Sequence, residues 1–167
     1  MKLYSLRLGI LLLGLTVVFS ACKKNEDDDN DTPSKTNKEY LTAGFWKTTG
    51  MTIDPGVNVF GTVITDIFEQ WEDCEKDDLI KFNSDGSITD DEGATKCDTN
   101  DPQTQNDGTW VMSSDNKSVT IDYPDEDPIT VDITSINDQT FKGSYTAVED
   151  FGSGPITYTY TVTMKRQ

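Results

Sequence analysis

From Gly108 to Arg166 the chain alternates between apolar and polar side chains, almost residue by residue. The pattern is cleanest at the end, where Ile156, Tyr158, Tyr160, Val162 and Met164 are interleaved with Thr157, Thr159, Thr161 and Thr163. A period of two is the signature of a strand, because successive side chains point to opposite faces of a sheet. Polar residues on the alternate positions mean that one face is buried and the other is wet. The same reading places Trp110 with Met112, Val119 with Ile121 and Tyr123, and Ile129 with Val131 and Ile133 on inward faces. Phe141, Gly143, Tyr145 and Ala147 form another such face. Between these runs stand turn-forming segments: Asp115-Asn116, the acidic 124–128, Asn137-Asp138 and Phe151-Gly152-Ser153-Gly154-Pro155. Strands joined by links this short pair antiparallel as a meander.

The earlier part of the domain is less regular. Thr36 to Thr42 has the form of a short helical turn, with Thr36 as N-cap and Glu39 three places later. Gly44 to Ile53 reads as the first strand. Residues 62–73 put Val63, Ile67 and Trp71 at helical spacing, which predicts a helix ending before Cys74. Asp78 to Phe82 and Ser87 to Thr89 flank the turn Asn83-Ser84-Asp85-Gly86 and read as a hairpin. A polar loop, Asp90 to Asp107, follows. The expected fold class is therefore all-β: an eight-stranded antiparallel meander barrel with a short helix between the first two strands. Closure would remove the exposed strand edges. Eight strands enclose a space that side chains can fill or that can hold one small ligand.

The 167 residues include 30 acidic and 14 basic side chains and no histidine, for a net charge of −16. Without histidine there is no Ser/His/Asp or Cys/His pair and no histidine-bound zinc. The acidic excess argues against nucleic acid, whose phosphates require clustered Lys and Arg. The acid clusters lack EF-hand spacing and read as a solvated face. Nothing singles out a catalytic pair of carboxylates, so no catalytic residue, metal or cofactor is expected.

Met1 to Arg7 is a short basic start, and Leu8 to Ala21 is a continuous apolar run, too short to span a bilayer but suited to a secretory signal. It ends in Phe19-Ser20-Ala21-Cys22, which resembles the lipobox of bacterial lipoproteins. The resemblance implies a signal peptide over 1–21 and an acylated Cys22, palmitate being one such acyl chain. Residues 22–38 contain no aliphatic or aromatic side chain and read as a disordered acidic tether. The folded domain is placed at 39–167. Lys23 followed by acids resembles the export signal of some surface lipoproteins. The expected location is the bacterial outer membrane, on its periplasmic or cell-surface face, with the membrane reached through the lipid and the domain itself a monomer.

Cys74 and Cys97 remain after Cys22. Two cysteines in an exported domain most often pair. The second and third strands form a hairpin, so their outer ends lie close enough for a Cys74–Cys97 disulfide.

At this point the chain resembles the lipocalin-like domains of bacterial lipoproteins. Gly44-Phe45-Trp46 is similar to the G-x-W that opens the lipocalin barrel. Cys74 to Ser87, CEKDDLIKFNSDGS, looks like the family's cysteine, acids, strand and Asp-Gly turn. Gly108-Thr109-Trp110 resembles a later G-x-W. The resemblance implies that Arg166 stacks on Trp46 to close the barrel by cation–π contact. It also implies a small apolar or amphipathic ligand, for which Phe82, Trp110, Ile121, Tyr145, Tyr158 and Tyr160 are the inward candidates. The alternative is a filled barrel, in a structural or interaction lipoprotein acting through its acidic surface and loops.

Overall fold

The computed structural model describes residues 34–152 and 154–167. The expected signal peptide, Cys22 and the greater part of the expected tether lie outside the described residues. One helix, α1 (Asn37–Leu41), precedes ten strands. They are β1 (Phe45–Val59), β2 (Thr62–Asp66), β3 (Leu79–Phe82), β4 (Ile88–Asp91), β5 (Thr104–Gln105), β6 (Thr109–Met112), β7 (Ser118–Asp122), β8 (Ile129–Ile136), β9 (Thr140–Glu149) and β10 (Ile156–Arg166). The Thr36 side chain accepts from the Glu39 amide and Glu39 reaches back to the Thr36 amide, so the capping box holds α1 as its sequence predicts. The helix starts at Asn37, inside the stretch read as tether. Lys35 donates to Asp138, and that contact holds the Asp138 carboxyl below the usual range.

All ladders are antiparallel, in the order β5-β4-β3-β1-β10-β9-β8-β7-β6, with β2 beside β1. The first and last strands pair along most of their length, from Trp46 opposite Arg166 to Asp54 opposite Thr159. The eight expected strands are all present, as β1, β3, β4 and β6 to β10. The sheet is not closed, however. Between β4 and β6 there is no ladder, only one bridge, Ser87 opposite Thr109. There the Ile88 amide donates to the Gly108 carbonyl and the Trp110 amide to the Gly86 carbonyl, each at 2.8 Å. Beyond that bridge β4 turns to pair with β5, and the two sides diverge.

The expected helix over 62–73 is not formed. Phe60 and Gly61 both have positive φ, 50° and 90°, and make a two-residue hairpin turn after Val59. The run Thr62-Val63-Ile64-Thr65 is β-branched, favours a strand and pairs back on β1. Only Phe68–Gln70 is helical, as one 3-10 turn. Pro55 explains the partner change along β1. It has no N–H to donate, so the ladder with β10 ends at Asp54 and that with β2 resumes at Val57.

The core lies at the closed end. Leu41, Trp46, Phe82, Ile88, Trp110, Val119, Phe141 and Met164 are buried together. Trp46 meets Phe141 edge to face at 6.4 Å, and Phe82 meets Trp110 likewise at 5.7 Å. A buried indole N–H needs an acceptor. That of Trp46 donates to the Leu41 carbonyl at 2.8 Å, and that of Trp110 to the Asn83 carbonyl at 2.9 Å. Ile53, Tyr158 and Tyr160 form a second, smaller buried cluster toward the other end.

Candidate functional site

The interior is not filled. A cavity of about 450 Å³ lies between the β1–β10 and β7–β8 walls. Its floor consists of buried core side chains, Phe82, Val119, Val131, Phe141 and Met164. Met51, Ile80, Ile121, Tyr145 and Val162 form its sides, and Trp71, Tyr123, Glu126, Asp127 and Ile129 also line it. Glu126 and Asp127 are exposed, which places them on the outer side. Period-two alternation produces the walls directly, since every second residue of β7 to β10 projects inward.

A second cavity of about 470 Å³ adjoins the first and shares Thr48, Trp71, Ile80, Tyr123 and Glu126 with it. Its character is different. Glu75, Asp78, Asp90, Asp91, Glu92 and Glu126 line it, and among the described residues no Lys or Arg does. The two spaces together form an apolar chamber with an acidic mouth.

The mouth is held by local bonds. Tyr123 donates its hydroxyl to both Asp90 carboxylate oxygens, at 2.9 and 3.1 Å. Burial raises the Asp90 carboxyl above its ordinary value, with the Tyr123 bond opposing and Asp107 adding to the rise. Burial and the neighbouring Asp90 drive the Tyr123 hydroxyl strongly upward, so it stays a donor. Asp77 accepts from the amides of Ala94 and Thr95, each at 3.0 Å, and Gln103 donates to Asp91 at 2.8 Å. Asp78 is left without such support. It is half-buried, and its Oδ1 is sealed from solvent with no hydrogen-bond partner among the described residues. Burial, followed by Glu92, Asp77, Glu75 and Asp90, pushes its carboxyl up to about 6.

Cys74 and Cys97 are bonded, with 5.3 Å between Cα atoms, as expected. Glu72 lies beside them, but the joined sulfurs leave no thiolate for a metal. Of the six ligand candidates, Phe82, Ile121 and Tyr145 line the chamber. Trp110 is buried against Phe82 and does not line it, because it serves the bridge between β4 and β6. Tyr158 and Tyr160 belong to the second cluster. Tyr160 stacks on Tyr145 at 4.8 Å between ring centres, so Tyr145 alone of this pair reaches the space. Burial pushes the Tyr145 hydroxyl up to about 12.

Trp46 and Arg166 face each other across the β1–β10 ladder. They form no cation–π contact among the described residues, where the cation partners of aromatic rings are all lysines. Arg166 instead donates to Asp138 at 3.2 Å. Its aliphatic stem crosses Gly44, where an added Cβ would stand 3.3 Å from the Arg166 Cδ. The glycine of this G-x-W thus makes room for the arginine stem. Gly108 plays the matching part for the mouth: a Cβ there would stand 2.6 Å from the Tyr123 ring. Asp78, Asp90, Tyr123 and Trp71 were not among the sequence candidates. Tyr123 had a signal, since it continues the inward face of Val119 and Ile121. The acids had none, lost among thirty acidic residues.

A family of lipocalin-like domains matches residues 42–143. The chain belongs to this lipocalin-like family. The match takes in both G-x-W elements, the disulfide and the turn after β3, as the resemblance in the sequence implied. Among solved structures, the chain is similar to bovine odorant binding protein in complex with a selenium-containing odorant. Identity is 14%, coverage is 80% of this chain and 74% of that one, and the TM-score is 0.40. It is also similar to bovine odorant binding protein complexed with its natural ligand, at 15% identity, 80% and 76% coverage and a TM-score of 0.40. No curated protein matches the chain.

Proposed function

We propose that this lipocalin-like protein is a non-catalytic binding module that takes a small apolar or amphipathic molecule into its chamber, held at the bacterial outer membrane by an acylated Cys22. One observation carries the binding reading: an apolar-walled space of about 450 Å³ stands where a filled barrel would have packed side chains. Native interiors rarely leave voids larger than a water molecule, whereas ligand pockets run from about 300 to 1,000 Å³. The filled interior of the alternative reading is therefore disfavoured. The anchor rests on the sequence 19–22 and on the acidic segment behind it. The folded domain acts as a monomer at the end of that tether, on the periplasmic or the cell-surface face.

Exposing the purified protein to a mixed lipid and metabolite extract, followed by native mass spectrometry, tests the binding reading. A retained small molecule is expected, and Ile121→Phe, which projects more side chain into the chamber, should reduce its retention severalfold. An empty protein at every extract concentration refutes the proposal.

A further inference from the structure

We infer that the chamber selects a cationic amphiphile, with its apolar body against the β7–β10 wall and a protonated amine at the mouth among Asp78, Asp90 and Glu126. This rests on the ligand-binding reading above and adds the chemical class of the ligand.

Six carboxyl groups line the outer cavity, and among the described residues no lysine or arginine lines it with them. Acids this numerous on a small concave surface repel one another, and low-dielectric walls concentrate the field they create. Three of them have protein partners: Asp90 accepts from Tyr123, Asp91 from the Gly93 amide and Gln103, and Glu75 from the Glu72 amide. These bonds fix where the acids stand but supply no positive charge. Asp78 Oδ1 has neither a cation nor a donor, although it is closed off from water. A buried carboxylate oxygen without a partner is costly, and such atoms are few in native structures. A positive charge entering the outer cavity beside Asp78 would offset that cost and relieve the repulsion at once.

The inner space supplies the other half. Its floor and sides are aliphatic and aromatic, which suits an alkyl or aryl body and not a bare metal ion. Trp71 and Tyr123 line both cavities, where chamber and mouth meet. Aromatic rings at such a junction favour ammonium groups. An anionic amphiphile of the same length would bring its carboxylate against six others.

The test compares three probes of one chain length: decylamine, decanol and decanoate, titrated at neutral pH with tryptophan fluorescence as the readout. Decylamine is expected to bind about tenfold or more tightly than decanol, and decanoate most weakly. Asp78→Asn and Glu126→Gln should each narrow the amine-to-alcohol ratio several-fold. Asp132→Asn, on the exposed outer face of β8, should leave the ratio intact. Equal binding of all three probes overturns the cation preference while the ligand-binding reading stands. Tightest binding of decanoate does the same. A ratio lowered as much by Asp132→Asn as by Asp78→Asn assigns the effect to overall charge and also overturns it. Binding of none of the three, with nothing retained from the extract, overturns both readings.

Discussion

At the scale of single residues, Asp78 is where the fold keeps a charge it does not compensate. Its carboxyl is raised to about 6 by burial and by the acids around it: Glu75 and Asp77 from its own segment, Asp90 from β4 and Glu92 just beyond. In the unfolded chain an aspartate titrates near 3.9. Between those values the folded state binds the proton more tightly than the unfolded state. Stability attributable to Asp78 is therefore present at low pH and is lost as pH rises from about 4 through about 6. Without its ligand, Asp78→Asn should be more stable than the parent by roughly 1 kcal/mol at pH 7, after allowance for solvent screening at the mouth, with the difference vanishing near pH 4. Urea unfolding of both proteins across that range checks this. A difference independent of pH would show that Asp78 is not strained electrostatically. Asp85, Asp98, Asp115 and Asp138 are lowered by local hydrogen bonds and act in the opposite sense, so only the difference between variant and parent isolates Asp78. The buried tryptophans were legible in the sequence because size, glycine spacing and alternation coincide at Trp46 and Trp110. The role of Asp78 was not, since an acid among acids has no local mark.

Among the elements, the β1–β2 hairpin and the disulfide segment are the two whose behaviour follows from chain geometry. Phe60 occupies a positive-φ turn position and is fully exposed, so its ring packs on nothing and its backbone is strained. Asn-Gly is the preferred pair for a two-residue turn of this kind. Phe60→Asn should raise stability by about 0.5–1 kcal/mol, read as an increased midpoint in thermal melting. The helical spacing of Val63, Ile67 and Trp71 misled because periodicity over one stretch cannot see that the preceding Phe-Gly reverses the chain. Val63 ends up largely exposed, 62%, where a helix would have buried it. The Cys74–Cys97 bond encloses the stretch that carries β3, β4 and much of the acidic mouth. Reduction should loosen this segment and lower stability by at most about 2–4 kcal/mol, through the loop entropy returned to the unfolded chain. Hydrogen exchange should rise over 75–96 while β7 to β10 stay protected. Uniform loss of protection would mean that the bond holds the whole sheet.

For the whole molecule, the tie between sheet and chamber is the partial closure. The ten-strand sheet curls so that the start of β4 meets β6 at one bridge near the closed core, and the two separate beyond it. Side chains fill the joined end, and the separated end leaves the chamber and its mouth. The proposed anchor is independent of this architecture. Cys22→Ser should abolish the acyl mass and leave residues 1–21 uncleaved by lipoprotein peptidase. An intact-mass measurement of parent and variant checks both, and a parent without acyl mass would refute lipidation.

Strand class, eight of the ten strands and their inward faces were determined by the sequence itself, whereas β2 and β5 were not foreseen. Period two and turns built from Pro, Asn, Asp and Gly are local, and β7 to β10 needed nothing else to be located. The cysteine pair was equally readable, because a hairpin brings its two flanks together. Tertiary structure alone decided three matters. It left the barrel open between β4 and β6, because pairing there depends on where β5 draws β4 aside. It turned Arg166 toward Asp138, which Lys35 also holds, rather than the Trp46 ring, because the acid on the neighbouring turn offers a charge partner that the sequence places 28 residues away. And it gathered Asp78, Asp90 and Glu126 at one mouth. Those residues come from three separate segments, so their proximity is a property of the sheet's curvature and not of any spacing along the chain.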